Sequence, residues 1–243
     1  MPTEGGNPAA LHSSNGWPLK VAICTPCYSG NVNLHYAMSL MATMKAMSRV
    51  DCIFLSNIGS SLIHMSRNVL VAQALAQKAD KIVFIDDDVS WTNNGFERLV
   101  LGPQHIVAGV YQKKPHTPHA EPEMALSVNP EGLVPDFTGL CEVDAAATGF
   151  IRIDAEVFEK LKATCQKIED NSLHPDEAVH MYEYFSFGKL IKDGKVYVHG
   201  EDYSFCHKAR EVGYKTYIDP NIRLGHHHGT FKFDAAMKTV ELL

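Results

Sequence analysis

The stretch Lys81–Trp91, KIVFIDDDVSW, constrains the fold more than any other part of this chain. Ile82, Val83, Phe84 and Ile85 make a short unbroken apolar run, the pattern of a strand buried on both faces. Three carboxylates, Asp86, Asp87 and Asp88, follow at once. Adjacent like charges at the end of a core strand repel one another. Either a solvated turn that caps the next helix or a bound hard cation relieves that repulsion. In an extended segment Asp86 and Asp88 point to one side and Asp87 to the other. Asp86 and Asp88 are therefore the pair able to share one metal ion or a metal-bound diphosphate.

The flanking pattern alternates. Lys20–Thr25 reads as a strand, stopped by Pro26. Leu34, Ala37, Met38, Met41, Met44 and Met47 recur at helical spacing and predict a helix with a Met-rich core face. A strand at Asp51–Leu55 and a helix from Ser61 to Ala79 precede the Asp-tipped strand; a short helix at Phe96–Leu101 and a strand at His105–Tyr111 follow it. This order predicts a parallel sheet of Rossmann type. Ligands of such sheets sit at the carboxyl ends of the strands, where Thr25, Asp86–Asp88 and Tyr111–Lys114 fall.

The second half is less regular. Gln112–Asp136 holds five prolines and reads as an irregular excursion. Leu140–Ile153 is extended with small-residue interruptions, and Ala155–Thr164 is helical. Cys165–Gly200, with Tyr182, Tyr184, Phe185 and Phe187, reads as a mobile lid. A helix at Glu201–Val212 and a strand at Tyr214–Ile218 close the pattern. Residues 1–18, rich in Gly, Ser, Asn and Pro, read as a loose tail before one α/β domain spanning 19–243.

Net charge is −6, so no global basic surface draws nucleic acid. The six cysteines are scattered through predicted elements, which suits reduced intracellular thiols. Neither a membrane span nor a signal-peptide layout is legible, and a cytoplasmic protein without membrane partners is the expectation.

Several short motifs admit more than one chemistry. Cys24-Thr-Pro-Cys27 has redox spacing, but the turn-like Tyr28-Ser-Gly-Asn follows where a helix is needed. That same segment fits neither phosphate-binding glycine loop. Among His226, His227 and His228, alternation lets at most His226 and His228 share one ion. One imidazole with carboxylates and diphosphate oxygens suits Mn2+, with Mg2+ second. Glu201 and Asp202 open a helix, as dipole-favoured acids or as a general base. Arg67-Asn68 offers a guanidinium to diphosphate or ribose oxygens, or a solvated arginine. Lys113-Lys114 is either phosphate-neutralising or surface charge.

Taken in order, the blocks TPCY (25–28), SRN (66–68), FIDDD (84–88), AGVYQKK (108–114), ATGF (147–150), GEDYSFC (200–206) and DPNIRLGH (219–226) resemble the GT-A glycosyltransferases of tailed phages and large algal viruses. The resemblance runs from about Lys20 to Phe233, with FIDDD in the place of the DxD motif. It implies a Rossmann-like GT-A fold and metal-dependent transfer of a sugar from a nucleotide-sugar to a hydroxyl acceptor. Asp86 and Asp88 would bind the metal and diphosphate, and His226 would complete the metal shell. Thr25, Pro26 and Tyr28 would line the nucleoside pocket, with Arg67 and Asn68 on ribose or phosphates. Asp87, Lys114, Thr148 and Gly149 complete the donor-facing set. Asp202, or else Glu201, would serve as base if the reaction inverts. On this pattern residues 19–114 bind the donor and 115–243 the acceptor, with 165–200 the mobile loop.

Ala147 stands where many relatives have Gly, and His228 is a rival ligand to His226. The viral relatives imply a glycan or a hydroxymethylated DNA base as acceptor and host cytoplasm as the compartment. Two other classes use the same residues: a metal-dependent phosphohydrolase or nucleotidyltransferase, and a non-catalytic nucleotide-sugar-binding module.

Overall fold

A computed structural model describes residues 18–113, 124–127, 132–168, 181–192 and 194–227. The elements run β1 (Lys20–Cys27), α1 (Leu34–Ala46), β2 (Asp51–Ile58), α2 (Ile63–Ala76), β3 (Lys81–Ile85), β4 (Val89–Trp91), α3 (Asn93–Leu101), β5 (Ile106–Ala108), β6 (Leu126–Ser127) and β7 (Cys141–Val143). They continue β8 (Ala145–Ala146), β9 (Phe150–Asp154), α4 (Ala155–Leu161), β10 (Lys167–Ile168), β11 (Met181–Tyr182), β12 (Gly188–Lys192), β13 (Lys195–His199), α5 (Glu201–Glu211), β14 (Thr216–Ile218) and β15 (Leu224–His226).

One seven-stranded sheet, in the order β2-β1-β3-β9-β5-β14-β7, organises this α/β fold. β2, β1 and β3 are mutually parallel, as are β5 and β14. The all-parallel expectation fails at β9, which enters antiparallel between β3 and β5, and at β7, antiparallel to β14. Both belong to the half in which strand and helix patterns no longer alternate. β9 pairs Phe150 with Ile85, so the segment before it, Ala147–Gly149, arrives beside the Asp triplet.

The apolar run 82–85 is fully buried, as its composition demands. Leu70 and Ala74 of α2, Phe158 of α4 and Phe205 of α5 cover one face of the sheet. Tyr36 of α1, Trp91, and Phe96 and Leu99 of α3 cover the other. α3 starts where Thr92 Oγ1 accepts the Gly95 N–H (3.1 Å), an N-cap that aligns its apolar face at once. Among the described residues no helix is long and apolar enough to cross a membrane.

Two expectations are corrected. Most of the methionine stripe of α1 faces outward: Leu34, Met38, Met41 and Met44 are exposed, while Met47 is buried with Tyr36 and Thr43. Helical spacing fits either face, and polar-tipped contacts decide it. Tyr36 Oη lies 2.5 Å from Thr25 Oγ1, and the Trp91 indole N–H donates to Thr43 Oγ1 at 2.7 Å. Secondly, Tyr184 and Phe185, read as lid residues, are buried in the core against Phe158 and Phe205. Gly188–Lys192 and Lys195–His199 pair antiparallel as β12 and β13, and 169–180 and 193 of that segment lie outside the described residues.

Candidate active site

β3 ends at Ile85, and the chain turns through Asp86–Asp88 into β4. Asp86 N–H donates to the Gly149 carbonyl (3.0 Å), which seats the triplet against the ATGF segment. Around Asp86 the fold gathers groups from five separated stretches of sequence. Arg67, buried on α2, donates through Nε to Thr148 Oγ1 (2.7 Å) and through Nη2 to Asp86 Oδ1 (3.2 Å). Its Nε also lies 3.9 Å from Glu201 Oε1 at the start of α5. The Tyr111 hydroxyl accepts the Gly149 N–H at 3.1 Å. Gly149 has no room for a side chain: a Cβ there would overlap the Tyr111 hydroxyl and sit 2.7 Å from Asp86 Oδ2.

The acids outnumber the cations. Burial pushes the Asp86 carboxyl up; Arg67 opposes this, while Asp88 and Glu201 reinforce it. Burial also raises Asp202, as does Glu201 beside it. The Tyr111 phenol is raised by burial and then by the Asp86 charge, so it stays a neutral donor and acceptor.

His226 reaches this cluster through β15, which pairs antiparallel with β4 and sets His226 opposite Val89. Its Nε2 lies 3.5 Å from Asp88 Oδ1, and its Nδ1 lies 2.8 Å from the Gln112 carbonyl oxygen. A carbonyl only accepts, so Nδ1 carries the proton. In the neutral ring Nε2 then presents a lone pair to a carboxylate, an arrangement that needs a proton or a cation between the two. The Tyr111 ring packs edge-on against this imidazole, 4.9 Å between centroids.

Not every expected residue arrives. Among the described residues no group of three His, Cys, Asp or Glu side chains stands at metal-holding geometry: Asp88 and His226 converge, while Asp86 is turned to Arg67. The Thr25 hydroxyl is buried on Tyr36, and Pro26 is buried beside it. Asn68 spends its amide on the backbone of Phe185, donating to O and accepting from N at 2.9 Å each. The Thr25 hydroxyl and the Asn68 amide are thus both engaged within the protein. Tyr28, 67% exposed, is the residue of TPCY that faces solvent. Asp87 turns toward β1, where it raises the Cys27 thiol after burial itself. Cys24 is raised by burial alone, so neither member of the CxxC is a ready thiolate. Lys114 and His228 lie outside the described residues.

Sequence reasoning placed Tyr111 at the sheet edge without giving it a role. It also set Thr148 toward the donor, whereas its hydroxyl accepts from Arg67 Nε. Near β2 and the start of α2, Asn57 Oδ1, His64 Nδ1, Ser66 Oγ and Arg67 Nη1 are buried without a hydrogen-bond partner among the described residues. Buried polar atoms left so are costly unless a ligand satisfies them.

No protein-family model matches this sequence, and no curated protein matches it. Among solved structures the chain is similar to A197 from STIV, at 17% identity and a TM-score of 0.49 over 86% of each chain. It is also similar to a mutant Drosophila β-1,4-galactosyltransferase 7 in complex with manganese, UDP-Gal and xylobiose: 14% identity, TM-score 0.47, covering 92% of this chain and 80% of that one. GalNAc-T7 with UDP, GalNAc and Mn2+ is similar at 12% identity and TM-score 0.45, covering 90% of this chain and 46% of that one.

Proposed function

We propose that this chain is a metal-dependent glycosyltransferase of GT-A type, moving a sugar from a nucleotide-sugar to a hydroxyl acceptor. The single observation that carries the reading is the facing of Asp88 Oδ1 and His226 Nε2, 3.5 Å apart, beside the buried Asp86–Arg67 pair. This donor set fits a hard or borderline divalent cation, Mn2+ first and Mg2+ second, with the open positions left to oxygen ligands. Asp88 and His226 would hold it, and Asp86 would join only by turning from Arg67. When bound, the ion would neutralise charge on the departing diphosphate.

The chain's own groups supply the rest. Arg67 and Thr148 fix Asp86 in place, and Tyr111 walls the site beside His226. The exposed ring of Tyr28 would stack on the donor's nucleoside half. Asp202, at the start of α5, takes the proton of the acceptor hydroxyl as the oxygen attacks the anomeric carbon. Glu201 shares the Arg67 charge and is the alternate base. The hairpin β12–β13, which packs on α5 and exposes Tyr197 beside Val196 and Val198, borders the acceptor side. The acceptor is a glycan or a hydroxymethylated DNA base.

The test is a panel of nucleotide-sugars with Mn2+, read by thermal stabilisation and by released nucleoside diphosphate. A metal-dependent shift with one donor, and transfer to a glycan or to modified DNA, is expected. Absence of any metal-dependent shift overturns the proposal. Turnover of a phosphoester without a sugar donor would instead mark a phosphohydrolase, and donor binding that Asp202→Asn leaves unchanged, with no transfer by the wild type, a binding module.

A further inference from the structure

Three residues of α1 stand one turn apart on a single flank, and each engages the ladder that carries His226. Thr43 Oγ1 accepts the Trp91 indole N–H at 2.7 Å, and Ser39 Oγ accepts the Trp91 backbone N–H at 3.1 Å. His35 completes this i, i+4, i+8 stripe. Its ring lies nearly parallel on that of His227, with 4.3 Å between centroids and 15° between planes. The first turn of α1 is seated to place that ring. Asn33 Oδ1 accepts the His35 N–H (2.9 Å), while the Asn33 N–H donates to the Asp87 carbonyl (2.9 Å).

His227 ends a very short strand. β15 has three residues and, among the described residues, pairs with β4 alone, so its ladder contributes little by itself. Leu224 packs against the core at its start. At its other end the His227 N–H donates to the Asp88 carbonyl (2.7 Å), and Nε2 lies 2.7 Å from Ser90 Oγ. Ser90 and His227 meet over Gly225, the register partner of Ser90. A Cβ on Gly225 would stand 2.6 Å from Ser90 Oγ and 2.8 Å from His227 Nε2, so a larger residue would part them. His226 sits between these two anchors, and its ring turns to Asp88 and Tyr111. A ligand imidazole works only if it is held within about 0.5 Å of its productive position, and the end of a three-residue ladder does not supply that alone.

We propose that His35 and Ser90 are positioning residues. They latch His227 from two sides and through it hold the His226 imidazole facing Asp88. What the latch serves rests on the metal-site reading above, whereas the latch itself is a property of the chain without metal. His35 is exposed, so trimming it opens no cavity in the core. A stacked ring pair shifts an equilibrium by roughly two- to tenfold, which sets the size of the effect.

Two measurements on the full chain test this. The first is amide hydrogen exchange of residues 224–227 without metal. His35→Ala and Ser90→Ala should each speed it roughly two- to tenfold while β1 and β3 keep their protection. His35→Phe, which keeps a flat ring over His227, should stay near the wild type. The second is Mn2+ titration in the presence of UDP, read by loss of the free-ion signal in electron paramagnetic resonance. Affinity should fall by a similar factor in His35→Ala and be retained in His35→Phe. Unchanged exchange in both alanine variants overturns the latch. So does a loss of protection spread over the whole sheet, or a His35→Phe as loose as His35→Ala. Faster exchange with unaltered Mn2+ affinity overturns its role in holding His226. A wild type that takes up no Mn2+ removes the metal reading instead, and the exchange result still decides the latch.

Discussion

Asp88 and His226 are far apart in sequence, yet Oδ1 of one lies 3.5 Å from Nε2 of the other. The β15–β4 ladder makes this meeting, and the His227 N–H donates to the Asp88 carbonyl (2.7 Å) to lock it. With Nδ1 committed to the Gln112 carbonyl, the Nε2–Asp88 contact takes either a proton, as an ion pair, or the cation proposed above. His226→Ala and Asp88→Asn are each expected to abolish metal-dependent thermal stabilisation by a nucleoside diphosphate and to cut transfer by roughly 10²–10³-fold. Undiminished metal-dependent stabilisation in both variants would sink the assignment.

Arg67 acts first on the protein and only through it on a substrate. It is buried against Thr148, Asp86 and Glu201, and the Asp86 side chain remains 30% exposed to the crevice. Arg67→Met leaves that carboxylate half-buried without its partner. The expected loss is about 3 kcal/mol, the low end for a broken buried pair because water still reaches Asp86. Chemical denaturation measures it, and Arg67→Lys should recover only part, since lysine cannot reach Thr148 and Asp86 with one planar fork. A change below about 1 kcal/mol in Arg67→Met would mean that Arg67 is instead surface-like in solution.

The strand tipped by Asp86–Asp88 was legible because a four-residue apolar run followed by three acids has few physical solutions. His226 was singled out by the resemblance and not by any local pattern, since pairing between β15 and β4 is a long-range contact that no local period reports. The outward turn of α1 was hidden for a different reason. Both of its faces carry apolar residues at helical spacing, and two hydrogen bonds from Tyr36 and Thr43 choose between them. Asn68 shows the limit of reading polar residues as ligands: its amide closes the backbone of Phe185, a partner far away in sequence. β9 went unread as an antiparallel insertion because a buried strand has the same composition in either direction.

Gly149 is required by space. Its φ is not in the left-handed region, but a Cβ would overlap the Tyr111 hydroxyl and press on Asp86 Oδ2. Tyr111 is held by its own packing and Asp86 by Arg67, so neither yields cheaply. Gly149→Ala is expected to weaken donor binding and transfer by roughly tenfold or more while lowering stability by about 1–3 kcal/mol. Pairing it with Tyr111→Phe, which removes the nearer obstacle, should restore part of the stability. An alanine variant with wild-type melting and activity would show that the wall around Asp86 is soft.

Asp202 combines a catalytic assignment with a cost to the fold. Burial and the neighbouring Glu201 raise its carboxyl above the ordinary value of 3.8, so the folded chain holds that proton more tightly than the unfolded chain. Stability from this group is therefore complete below the unfolded value and is lost as pH rises through the folded one. Above its raised folded value Asp202 is ionised at the fold's expense. Asp202→Asn, neutral throughout, should melt above the wild type at pH 7, and the difference should shrink toward zero as pH falls to about 4. The same variant should lose transfer by roughly 10²–10⁴-fold while keeping metal-dependent donor binding. In the wild type the acid limb of the rate profile should lie above the usual carboxylate range, because the base must be ionised to take the acceptor's proton. A variant that is less stable at neutral pH, or that still transfers sugar at the wild-type rate, would remove Asp202 from the mechanism and leave Glu201 as the base.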